Sequence, residues 1–257
     1  MPANRFALTR RHALTAAAGA LMALSISAPV AAQTFPAKTI TFVVPFAAGS
    51  ATDQLARAIG QSITNDTKQA VVVDNKAGAS GIIAAEYVLK QPADGYVLFH
   101  TTNTTHAANQ SLFKTLPYNP VDATPIMLIE KGPLILMVRS DSPYKSVKDI
   151  VAAAKASPGK LSYSSGGIGG THHLSGALFE HTAGIDLIHA PYKSGGAAAT
   201  DLMGGQVDVL CDQTSGTVPT VKSGKIKAYA AAGKARLAQL PTVPAIAEAG
   251  VQDVVIL

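Results

Sequence analysis

TITFVVPFAAGSATDQLARAIGQSI, residues 39–63, decides the fold. Its first eight residues are β-branched and aromatic enough to read as a strand. Small residues then make a turn, and Leu55, Ala58, Ile59 and Ile63 fall on one face of a helix. The same unit recurs. QAVVVDN and GYVLFHTT predict strands, with SGIIAAEYVLKQ as a helix between them. Near-continuous valine and isoleucine in strands that alternate with helices predicts a parallel sheet covered on both faces, so the fold class is α/β.

PIMLIEKGPLILMVRS, residues 125–140, exceeds one ordinary strand and is broken at Gly132 and Pro133. It reads as a strand that leaves one lobe and enters another. The alternation then restarts: SVKDIVAAAKAS, THHLSGALFEHTA and AAATDLMGGQ are helices, while KLSYSS, IDLIHAPY and VDVLCDQ are strands. PTVKSGKIKAYAAAG carries the chain back. The expected architecture is two α/β lobes, lobe I from 33–131 and 227–257 and lobe II from 132–226. They hinge near Gly132 and Lys227, and open α/β sheets bind ligands beyond the carboxyl ends of their strands.

The first 32 residues carry Arg5, Arg10 and Arg11, an apolar stretch from Ala13 and the small residues Val30, Ala31 and Ala32. That is the layout of an export signal cleaved after Ala32, and the Arg10–Arg11 pair also suits twin-arginine export. Export from the cytoplasm is therefore expected. A membrane anchor is the weaker reading, since the stretch is rich in alanine, glycine and serine. Removing this leader lowers Lys plus Arg from 21 to 18 against 16 acidic residues, and net charge from +5 to +2. No basic block remains to suggest nucleic acid binding. Cys211, the only cysteine, has no disulfide partner in the chain and reads as a small buried hydrophobe.

Two strand–turn–helix loops sit in matching places, VVPFAAGSATDQLAR in the first lobe and YSSGGIGGTHHLSGALF in the second. Small residues let backbone approach a ligand, and a helix N-terminus adds unpaired N–H groups and about half a positive charge. Ser50 and Asp53 fit a capping box and also read as ligand contacts. A phosphate loop would need a lysine after the last glycine, but Thr171 and His172 follow Gly170, and the dinucleotide glycine spacing is not met. His172 and His173 are adjacent, about 100 degrees apart on a helix, which is wrong for sharing a metal; no metal or cofactor is expected. No G-x-S-x-G elbow is present. What remains is a neutral lining rich in donors from Ser50, Ser80, Asn103, Ser165 and Thr171, which suits a carboxylate. Lys193 reads either as an added charge or as a solvated surface lysine.

The ordered motifs FPAKTITFVVPFAAGSATDQLAR, DNKAGASG, PADGYVLFHTTNTTHAAN, LPYNPV, GGIGGTHHLSGALF, HAPYKSGGAAATDLMGGQVDV and LPTVPAIAEAG span residues 35–250. Together they resemble the Bug, or TctC-like, periplasmic solute-binding proteins of tripartite tricarboxylate transporter systems. The resemblance implies a two-domain Venus flytrap in the periplasm, a monomeric binder and not an enzyme, that closes on a small carboxylate: a di- or tricarboxylate, an acidic amino acid or an aromatic acid. Its partners would be membrane transporter subunits, or a sensor in some members. Carried onto this chain, the ligand contacts would be Phe46, Ala48, Gly49, Ser50 and Asp53; Ser80; Thr101 and Asn103; Ser165, Gly169, Gly170, Thr171 and His172; Tyr192 and Lys193; and Asp212. Gly170 stands where many members carry Ser or Thr, and Ser194 replaces a glycine after Lys193. Members usually continue past the EAG motif, whereas this chain stops at Leu257, so the expectation is a first lobe lacking those elements. The competing readings are a periplasmic enzyme acting on a small carboxylic acid and a chain that binds nothing.

Overall fold

The structure, a computed structural model, describes residues 34–252 and 254. The expected leader, 1–32, lies outside the described residues. Among them, no helix is long and apolar enough to cross a membrane.

Strand β1 (Ile40–Val44) leads into helix α1 (Ala51–Thr67), β2 (Val71–Asn75), α2 (Ile82–Leu89) and β3 (Val97–Phe99). These strands form a parallel sheet in the order β2-β1-β3. The Ser50 hydroxyl accepts the Asp53 N–H and starts α1, while Lys68, left-handed at φ 62°, ends it. The buried stripe of α1 is rotated from the expected one: Ala56, Ile59 and Ile63 pack on Ile40, Phe42 and Val44, whereas Ala58 is exposed. Gly60 accounts for the rotation. A Cβ there would lie 2.9 Å from Val71 Cγ1, so its absence lets the helix settle against β2 along the Ala56–Gly60 line.

The second sheet has five strands, β4 (Leu134–Arg139), β5 (Ser162–Ser165), β6 (Ile188–Pro191), β7 (Val209–Gln213) and β8 (Ile226–Ala231), in the order β6-β5-β7-β4-β8. Its helices are α4 (Val147–Ala156), α5 (Thr171–Ala183), α6 (Gly195–Met203) and α7 (Thr214–Lys222); the short α3 (Asn109–Leu112) belongs to the first lobe. The sheet is mixed, not wholly parallel as expected, because β4 arrives from the first lobe and runs antiparallel to both β7 and β8. Alternate β4 residues feed two cores. Leu134, Leu136 and Val138 join Phe179, Ile150 and Tyr163 on one face, and Ile135 and Met137 join Leu202, Leu210 and Ile226 on the other. Buried Cys211 sits in the first of these cores, and its burial pushes the thiol up to about 12.

Two expectations about the crossover change. Only the second half of the 125–140 run is a strand. Residues 125–133 pair with neither sheet, and Ile126, Met127 and Leu128 are 74%, 70% and 75% exposed. Pro133 offers no N–H to a ladder, which stops β4 from extending backward. The segment after Lys227, expected in lobe I, instead stays with the second sheet. β8 pairs with β4, Ala231 bridges Ala245, and Ala232, Ile246, Val251 and Val254 fill the Leu136 core. Apolar residues spaced to complete a nearby core hold the described part of the tail there.

This division of buried and exposed apolar residues is testable. Leu136→Ala is expected to cost about 2–5 kcal/mol, read as a lower urea midpoint at unchanged slope. Met127→Ser is expected to stay within about 0.5 kcal/mol of the parent. Equal losses in both variants would contradict it.

Candidate functional site

Four helices begin at one cleft. Its walls are Phe46, Ser50, Ala51 and Thr52 from the start of α1, Gly166, Gly170, Thr171 and His172 from the start of α5, Gly195 from the start of α6, and Gln213 before α7. Side chains cap two of these helices, Ser50 accepting from Asp53 N and Ser194 from Ala197 N. Gly170 and Gln213 give α5 and α7 no side-chain cap. First-turn amides have no partner inside their helix, so the uncapped ends turn donors and partial positive charge toward the cleft.

Asp53, which could have opposed an anion here, is occupied. Its carboxylate accepts from Gly49 N at 2.9 Å, from Asn75 Nδ2 at 3.0 Å and from Arg57 Nε at 3.0 Å. Burial pushes its carboxyl up, but the Arg57, Gly49 and Asn75 bonds together hold it below the ordinary carboxylate range. Ser50 caps α1 through Asp53 N, whereas the Asp53 carboxylate returns to Gly49 N and not to Ser50 N, which bonds the Ala47 carbonyl.

The two lobes touch directly at the cleft rim. Ser80 Oγ donates to the Ile168 carbonyl at 2.6 Å, and Thr171 Oγ1 donates to Asn103 Oδ1 at 3.0 Å while lying 3.3 Å from Thr104 Oγ1. Ser80 achieves its reach from a left-handed backbone, φ 53°, that non-glycine residues seldom adopt. Gly169 at φ 76° permits the opposing turn, and a Cβ there would meet Ser80 Oγ at 2.8 Å.

Histidines shape the second-lobe loop. His173 Nδ1 accepts from Gly169 N at 3.1 Å, and its ring lies 4.3 Å from that of His189. His189 Nε2 is 2.7 Å from Ser165 Oγ. Burial and then the neighbouring His173 bring His189 down to about 4, and burial lowers His173 as well, so both rings are neutral near pH 7. Ser165 and His189 have the spacing of a nucleophile and base. Ser165 is fully buried, however, and its hydroxyl is shared with the Gly167 backbone, so no substrate reaches it in this arrangement.

His172 points the other way. Its Nδ1 accepts from Gly166 N at 3.3 Å, and its Nε2 lies 2.7 Å from Asp212 Oδ1. Asp212 is nearly buried and also accepts from Gln213 N at 2.7 Å.

Of the residues predicted for the site, Phe46, Ser50, Gly170, Thr171 and His172 line the cleft. Gly49, Asp53, Ser80, Asn103, Ser165, Gly169 and Asp212 support its walls through the bonds just described. Thr101 bonds to Thr105 Oγ1, and Ala48 and Lys193 are exposed away from the lining. Tyr192 donates its hydroxyl to Asp201 Oδ2 at 2.7 Å and packs on the α6 core. Ala51, Thr52 and Gly166, which also line the cleft, fall within the two loops read as cradles, whereas Gly195 and Gln213 line it without having been foreseen. The signal for Gly195 was present in S-G-G before a helix, the form of the two loops that were read as cradles.

Two sheets, each feeding helices that start at a shared cleft, define the two-lobe fold of periplasmic solute-binding proteins. The chain belongs to the tripartite tricarboxylate transporter family receptors, whose family model matches residues 55–257. It is similar to the protein BugT of Bordetella pertussis, 33% identical over 232 residues that cover 90% of this chain and 71% of that one. Among solved structures it is similar to R. palustris Rpa4515 with adipate, with TM-score 0.82 and 37% identity over 86% of this chain and 75% of the other. MatC of Rhodopseudomonas palustris with bound malate superposes with TM-score 0.79 and 33% identity, over 86% of this chain and 76% of that one.

The neutral histidines predict how stability depends on pH. His189, depressed to about 4 when folded, binds its proton more readily unfolded, near 6.5. Stability is therefore expected to fall as pH drops from about 6.5 toward 4, and His189→Gln should flatten part of that fall. Urea midpoints across this range check it; a midpoint rising on acidification would contradict it.

Proposed function

We propose that this chain is a periplasmic solute-binding protein that captures a small carboxylate between its lobes for a transporter of the tripartite tricarboxylate type. The observation that carries this reading is the convergence of four helix N-termini on one cleft, two of them without a side-chain cap. Their summed partial charges and free amides suit an anion, and their neutral surroundings suit a carboxylate that keeps its charge. Adipate and malate in the two structural neighbours are consistent with this class.

Capture in this reading is a hinge closure. The lobes part near Gly132, where β4 begins after a segment outside both sheets, and they close until Ser80 meets Ile168 and Thr171 meets Asn103. Phe46, Ser50, Thr171 and His172 would face the ligand, with Gly49, Gly169 and Gly170 letting backbone come close. Export by the 1–32 leader, by the twin-arginine route, would deliver the protein to that compartment.

A thermal melt of residues 33–257 against di-, tri- and aromatic carboxylates and acidic amino acids tests the reading. A ligand at 100 times its Kd is expected to add about 2.7 kcal/mol. Thr171→Pro should keep the fold, since proline is tolerated in the first helical turn, yet weaken binding at least tenfold by removing the hydroxyl bridge and one amide. A cooperative melt that no acid shifts, or a Thr171→Pro variant with parental affinity, would overturn it.

A further inference from the structure

His172 stands between two places for negative charge. On one side is the Asp212 carboxylate, 2.7 Å from Nε2; on the other is the Gly166 N–H, 3.3 Å from Nδ1, at the cleft wall. The Gly166 donor faces a lone pair, which leaves the ring proton on Nε2, toward Asp212. A ligand carboxylate that accepts from Gly166 must displace Nδ1 from that donor. It then meets the lone pair of Nδ1 with its own. Turning the proton over to Nδ1 does not help, because Nε2 would then set its lone pair against Asp212 at 2.7 Å. Only a ring protonated on both nitrogens satisfies the two anions together.

We propose that His172 couples ligand capture to proton uptake: a carboxylate takes the Gly166 N–H, and His172 Nδ1, released from it, binds one proton from solvent and donates it to the ligand while Nε2–H stays on Asp212. This rests on the carboxylate reading above and adds to it a selection rule, that this position holds the ligand's anionic group in company with a proton.

The packing around the ring supports a local change. A Cβ on Gly166 would sit 2.9 Å from Nδ1 and 3.0 Å from Gly195 N, so glycine leaves room beside Nδ1. The other charged and titratable groups on the elements around the ring are accounted for. Asp53 of α1 is tied to Arg57, His173 of α5 and His189 of β6 are neutral and in ring contact with each other, and Lys193 before α6 is exposed. Asp212, from β7, is the group whose charge the ring meets.

The sign follows from linkage. A proton taken up together with the ligand adds affinity at low pH that is lost as pH rises. Titration calorimetry with malate and with adipate over pH 6.5–8.5, above the ordinary carboxyl range, keeps the ligand's own protonation out of the result. The expected result is an affinity that falls with rising pH, by up to about tenfold per unit for one coupled proton, and net proton uptake in phosphate and Tris buffers of different ionisation enthalpy. His172→Gln, shown folded by its melt, should lose both the slope and the uptake, whatever affinity it retains. Binding with a flat profile and no proton uptake in the parent, or a slope that survives in His172→Gln, overturns this inference alone. No binding by either acid at any pH, together with no melt shift across the wider panel, overturns the carboxylate reading and this inference with it.

Discussion

A helix cannot satisfy its own first amides, and this fold sends four such helix starts to the same place. The constraint comes from the strand–turn–helix unit. In a sheet whose strands run into helices, every such turn lies at the carboxyl edge, so the unsatisfied donors collect there without any residue being chosen for charge. β1, β5 and β7 all obey it, and the turn after β6 supplies the fourth. Side-chain choice then decides which ends stay available. Ser50 and Ser194 close off α1 and α6 in part, while Gly170 and Gln213 leave α5 and α7 to whatever enters the cleft.

Most elements were legible because their signals are local. The helix 171–183 reads directly from its sequence, bounded by Gly170 and by Gly184 in the left-handed region. The first-lobe strands follow from their valine runs. What was not legible depends on neighbours. Whether Ile126 to Ile129 would find a ladder partner, and whether the tail after Ala231 would return to the first sheet, are facts about distant edges that apolar residues alone do not encode. The antiparallel setting of β4 belongs to the same class, since an all-buried strand looks alike in either direction.

The candidate site shows the same division. Glycines and cap residues identified two of its four helix starts, because small residues before a helix have a local meaning. The pairing of His172 with Asp212 joins residues 40 apart, and neither His172 nor His173 announces from its position which will face the cleft. Register along α5 decides it: one residue later, the ring turns back onto Gly169 and His189 and becomes part of the loop's framework.

The meeting of Gly196 with Gly49 carries a consequence of its own. A methyl group on Gly196 would stand 2.9 Å from the Gly49 carbonyl oxygen, so here the lobes face each other as bare main chain. Side chains can rotate aside under load, whereas a peptide plane has almost no give. This edge therefore behaves as a mechanical stop. It fixes how near the start of α6 can come to the turn before α1.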